Sequence, residues 1–192
     1  MSNVYGILAG ILGIVGAVPY IYDTYRRKTK PQRFAWVIFL IVSVISFASQ
    51  FSLGARASLF FFGWIVCNNV IIVALSLRKN GGYGGLSLVN VVSFCLALAG
   101  IVLWQMTNSP VVALVGALVA DGIGASLIVV KSYLHPQSET VFMWFLGIIS
   151  GVLNILAVGS FQPALLAFPV YLTIFDVLIV LAVFFGRRRH AS

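Results

Sequence analysis

Two stretches decide how this chain reads: KTKPQRFAW at 28–36 and SYLHPQSETVFMW at 132–144. Each places Pro-Gln after a basic stretch and a Trp at the start of a long apolar run. Sliding the sequence against itself by 108 residues sets Thr24 on Ser132, Tyr25 on Tyr133 and Trp36 on Trp144, with a three-residue adjustment around the Pro-Gln pairs. Sliding by 107 sets Phe61 on Phe168, Trp64 on Tyr171, Asn69 on Asp176, Val70 on Val177, Ile72 on Ile179 and Val73 on Val180, with no gap. Composition alone makes apolar helices resemble one another. The Tyr, Trp and Asn/Asp matches instead fall in consistent order, which points to an internal repeat.

Around these stretches the sequence is almost entirely apolar. Of its 192 residues 61% are hydrophobic and 8% charged, with mean hydropathy +1.08. A soluble domain has about 25% charged residues, so the composition is that of an all-α polytopic membrane protein. Spans of about 20 apolar residues fall at 3–22, 34–53, 57–77, 86–107, 109–131, 140–160 and 164–186. Pro110 and Pro163 stand near helix starts, where proline is tolerated. The first apolar run has no Lys or Arg before it, unlike a secretory signal, and is read as a mature helix.

The net charge of +8 does not indicate a nucleic-acid partner, because the basic residues sit between apolar runs. Arg26, Arg27, Lys28, Lys30, Arg33, Arg78, Lys79, Lys131 and Arg187–Arg189 all fall on one side of a seven-span arrangement, with Arg56 alone on the other. The positive-inside rule then puts the N-terminus outside and the C-terminus in the cytoplasm. Helices 1–3 match helices 5–7, with helix 4 left over. Three spans plus one returns the second set to the orientation of the first, a parallel repeat. The expected division is a first bundle at 1–79, a linker helix within 80–108 and a second bundle at 109–192 with a basic tail.

The stretch VPYIYDTYRRKTKPQRFAWVIF at 18–39 resembles the first-helix motif of the SWEET and PQ-loop proteins, and the resemblance covers nearly the whole chain. It is strongest to uncharacterised bacterial members, which implies the bacterial plasma membrane. Pro19-Tyr20 takes the place of the family's Pro-Gln; the literal pairs at 31–32 and 136–137 fall later, in cytoplasmic loops. The counterpart of Pro19 in the second repeat is Leu127, and helices 2 and 6 contain no proline. The resemblance implies a 3+1+3 carrier that binds its substrate at a pair of asparagines in helices 3 and 7. Here those places hold Asn69 and Asp176.

Polar groups at membrane depth are the other guide to function. A carboxylate there costs about 2.5–3.5 kcal/mol on insertion scales and generally marks a pathway. Asp121 and Asp176 lie near the middle of their runs, with no basic residue mid-span to pair with them. They, with Asn69, are the leading solute-binding candidates, and either carboxyl could carry a proton. Asn68 lies beside Asn69, but the repeat selects Asn69 through its match to Asp176. Trp64, Tyr171 and Asn154 are further candidates for the binding walls, and Pro19 for a hinge. Asp23, near Arg26 and Arg27, reads as a solvated interfacial charge. Glu139 reads as a partner for the helix 6 dipole and no more. The glycine-rich NGGYGG at 80–85 reads as a flexible turn.

No zinc, triad or Cys-His spacing is present, and Cys67 and Cys95 lie inside apolar runs, so no metal, cofactor or enzymatic activity is expected. The reading is a carrier of a small polar solute (a sugar, amino acid or cationic metabolite) working by alternating access, with the bundles rocking about a site near Asn69, Asp121 and Asp176. Its partners would be the bilayer and the solute; the sequence is also compatible with a homo-oligomer. The alternatives are a seven-helix receptor or sorting protein, or a membrane assembly subunit without transport.

Overall fold

A computed structural model describes residues 2–52, 57–106, 110–158, 161 and 163–191. Among them the chain is helical throughout: α1 (Ser2–Tyr25), α2 (Arg33–Ser52), α3 (Ala57–Leu77), α4 (Leu88–Met106), α5 (Pro110–Leu134), a 3-10 turn at Pro136–Ser138, α6 (Val141–Val158) and α7 (Pro163–Ala191). Each apolar run has become a helix, the one local structure that satisfies every backbone N–H and C=O from within the segment. By length and composition, Val4–Tyr25, Val141–Val158 and Pro169–Arg189 could each cross a membrane, while Arg33–Val44 and Gly63–Leu77 are shorter apolar helices. Arg56 lies outside the described residues.

Several helices outrun the apolar spans. α1 continues to Tyr25 and closes with a Schellman motif: Lys28 N–H donates to Asp23 O (2.9 Å) and Arg27 N–H to Thr24 O (3.0 Å). Arg27 takes the left-handed conformation this motif needs, with φ 63°. α7 runs through Arg187–Arg189, because cations suit the negative end of a helix dipole. The basic tail expected from the sequence is therefore helix.

By contact the chain forms two compact units, Met1–Thr29 with Ile128–Ser192, and Lys30–Leu127. This differs from the division by chain order into 1–79, 80–108 and 109–192. The reason lies in which helices pack: α1 lies on α6, and α2 on α3 and α4. The first unit joins helix 1 of one repeat to helices 6 and 7 of the other; the second joins α2, α3 and α4 to most of α5.

Glycines show that the repeat extends to packing. In the first unit a Cβ on Gly16 would lie 3.4 Å from Met143 O and 3.3 Å from Leu146 Cβ. In the second, a Cβ on Gly124 would lie 3.5 Å from both Ala35 O and Ile38 Cγ2, and 3.0 Å from Phe39. Gly16 and Gly124, Met143 and Ala35, and Leu146 and Ile38 are all 108 residues apart. One helix contact is thus built twice in one register. In the second unit it abuts a core of Ile38, Val42 and Ala120, covered by Ile41, Phe94 and Leu98.

The literal Pro31-Gln32 pair is buried in the second unit rather than left in an open loop. Gln32 Oε1 accepts from Ala35 N–H (2.8 Å), capping α2, and its Nε2 donates to Asn90 Oδ1 (3.0 Å). Arg33 donates to Ser76 O (2.9 Å) and Gly84 O (2.7 Å). Tyr83 N–H donates to Pro31 O (2.8 Å), and Arg33 N–H to Tyr83 O (3.0 Å). The NGGYGG segment expected to be a flexible turn is held by these bonds. Gly84 sits at φ +83°, with Gln32 and Asn90 crowding the place of a Cβ.

Candidate functional site

The first unit holds Pro19, Asn154, Tyr171 and Asp176; the second holds Trp64, Asn69 and Asp121. α1 runs through Pro19 without ending, although a proline inside a helix removes one backbone bond.

In the second unit Asn69 is buried and turned to α2. Its Nδ2 donates to Phe39 O (3.2 Å) and to Ser43 Oγ (3.1 Å). Asn68 Nδ2 reaches Asn69 Oδ1 at 3.5 Å. Asn68 is also buried, and its Oδ1 has no hydrogen-bond partner among the described residues. Asp121 and Trp64 are half-buried. Asp121 lies three residues before Gly124, the glycine against which α2 packs. The amide chosen from the sequence as a solute ligand therefore also ties α3 to α2.

In the first unit the same register holds different chemistry. Asp176 of α7 packs over Gly147 of α6 so closely that a Cβ on Gly147 would collide with the carboxylate. Gly147 is the counterpart of Phe39 in the slide of 108, and Asp176 of Asn69 in the slide of 107. One turn along, a Cβ on Gly151 would collide with Thr173 Oγ1, and Thr173 donates to Pro169 O (2.7 Å). Two glycines four residues apart, on one face of α6, thus make room for two oxygen-bearing side chains of α7. Asn154, seven residues after Gly147, continues that face and is half-buried. Tyr171 packs its ring on Phe175 within α7, centroids 4.9 Å apart. Sequence reasoning selected Asp176 but missed Gly147 and Gly151; their four-residue spacing was the available signal.

No family model, curated protein or solved structure matches this chain.

One end of the first unit carries a polar cluster that the sequence did not suggest. Lys131 is fully buried, and its Nζ donates to Glu139 Oε2 (2.5 Å) and Ser138 O (2.6 Å). Glu139 Oε1 accepts from Trp144 Nε1 (2.9 Å), and the Trp144 ring stands edge-on to Tyr20 of α1 at 6.0 Å. Thr140 donates to Asp23 Oδ2 (2.9 Å). Because that commits the Thr140 proton, Thr29 is the donor in the Thr29–Thr140 hydroxyl bond. Two expectations are corrected here. Glu139 precedes α6 and holds a buried ion pair, and Asp23 accepts from Thr140 instead of pairing with the arginines beside it. Lys131 and Glu139 are eight residues apart across Pro136, a spacing that no helical rule brings together.

Proposed function

We propose that this chain is a seven-helix, multi-pass carrier that moves a small polar solute across a membrane by alternating access, with Asp176 as its coupling group. The solute would be a sugar, amino acid or cationic metabolite, the membrane the bacterial plasma membrane, and the N-terminus outside. The observation that carries this reading is the Asn69/Asp176 pair. At one repeat register, each polar group lies against the matching position of the next helix, Phe39 or Gly147. In one unit that group is an amide and in the other it is ionisable. An acid kept at that depth of an apolar helix has a cost that a purely structural role could avoid with asparagine.

The amide that Asn69 gives to α2 favours one second reading, an assembly subunit in which both groups only hold helices together.

Uptake into proteoliposomes with a trapped pH dye separates the two. Sugars, amino acids and polyamines are added singly to wild type, Asp176→Asn and Asp121→Asn. One solute class is expected to enter with lumen acidification. Asp176→Asn should abolish the acidification and slow uptake on the order of tenfold or more, as for loss of one charge-assisted hydrogen bond. Uptake without acidification, equal in all three proteins, would leave a uniporter. No uptake of any solute would put the assembly reading first.

A further inference from the structure

The cations at one end of the first unit have almost no acid to answer them. Four acids exist in the sequence. In this unit Glu139 holds Lys131, Asp23 accepts from Thr140, and Asp176 lies roughly 16 Å along α7 from Arg187. Lys131–Glu139 is the only ion pair among the described residues. Arg26, Arg27, Lys28 and Arg187–Arg189 are all exposed.

These cations stand on a built platform. A Cβ on Gly186 would collide with Tyr133 O, so α7 is seated directly on the end of α5. That seating places Arg189 over the Tyr133 ring (5.7 Å). Arg188 lies over Phe184 (4.3 Å) and Arg26 over Tyr22 (5.8 Å). Tyr22, Tyr133, Phe184 and Phe185 are themselves exposed, so every cationic segment is flanked by open aromatic surface. The Asp23–Thr140 and Lys131–Glu139 contacts hold the ends of α1 and α5 beside the start of α6, so both basic segments belong to the same end.

We infer that this end of the first unit retains anionic phospholipid, its arginines holding the phosphate and its exposed rings the upper acyl chain. A nucleic acid or an acidic protein surface would answer the charge and leave the aromatic flank uncovered. A phospholipid answers both, and aromatic rings beside basic residues suit the interfacial layer of a bilayer. The inference rests on the membrane part of the proposed function and is independent of transport.

The test uses the full chain in phosphatidylcholine nanodiscs with and without phosphatidylglycerol. Retained lipid is counted by native mass spectrometry after detergent extraction, and thermal unfolding is followed in parallel. Wild type should retain phosphatidylglycerol over phosphatidylcholine and melt higher in its presence. R187Q/R188Q/R189Q should lose that retention roughly tenfold or more, with its helix content unchanged. Lys79→Gln, which removes charge from the other unit, should behave as wild type. Added salt should weaken the effect, and glycerol phosphate in detergent should not reproduce it. Equal retention by wild type and the triple variant would overturn the inference, as would a loss matched by Lys79→Gln or a full effect from glycerol phosphate. A chain that stays out of the bilayer would overturn the membrane reading and this inference with it.

Discussion

Lys131→Met should destabilise the first unit by about 3–5 kcal/mol, the usual cost of stripping one partner from a buried ion pair. The side chains of Lys131 and Glu139 are 0% and 1% exposed. Removing the ammonium leaves a carboxylate facing only Trp144 Nε1, with water shut out. Glu139→Leu should cost as much, because it strands the ammonium on Ser138 O alone. The double variant K131M/E139L should recover most of the loss, since an apolar pair of similar volume replaces two desolvated charges. A residue of about 1–2 kcal/mol should remain, because Ser138 O and Trp144 Nε1 lose their partners. Trp144 touches Glu139 directly, so its fluorescence during denaturation in micelles reports the site. Single variants that each cost under about 1 kcal/mol would mean that the pair is solvated and that these ends are held by other contacts.

The same cluster shows which parts of the molecule the sequence could reveal. The helices were legible because each is an apolar run punctuated by Gly, Pro or charge. Pro110 and Pro163 open α5 and α7 where a proline is tolerated. Partner choice was less legible. Chain order suggests α1 on α2, yet α1 lies on α6. What decides this is a close approach at Gly16, and the only trace in the sequence is a second glycine 108 residues on. Gln32 was set aside as loop because a cap is recognised from short side chains, and a longer amide fills that role here. Lys131 was read as an orientation marker. Its burial depends on a turn at Pro136 that folds Glu139 back, a consequence of tertiary structure that periodicity does not record. Asp176 was legible for the opposite reason: an acid in an apolar run stands out whatever the fold.

Gly147→Ala should destabilise the α6–α7 contact by about 1–3 kcal/mol, the range for overpacking, and reduce uptake along with it. The sign is informative, because Gly→Ala within a helix ordinarily stabilises by roughly 1 kcal/mol. At Gly13 of α1, where an added Cβ meets nothing within 4 Å, that ordinary gain is expected, so Gly13→Ala serves as the control. At Gly147 the new Cβ meets the Asp176 carboxyl, and either the carboxyl swings away or α7 shifts. If the collision is the cause, shortening Asp176 must relieve it. G147A/D176A should then be more stable than D176A alone by the helix-propensity gain, reversing the sign seen in the wild-type background. This reversal, read from thermal unfolding of the four proteins, is a coupling between two contacting residues, in the range expected for neighbours. A Gly147→Ala effect of the same sign and size in both backgrounds would show that Asp176 does not rest on Gly147. Because the test needs no solute, it examines the placement of the coupling group separately from the transport assay. The comparison with the other repeat explains why glycine is required at this place alone. Asn69 reaches the carbonyl of Phe39, so a large side chain is tolerated there, whereas Asp176 occupies the space that a side chain at 147 would fill.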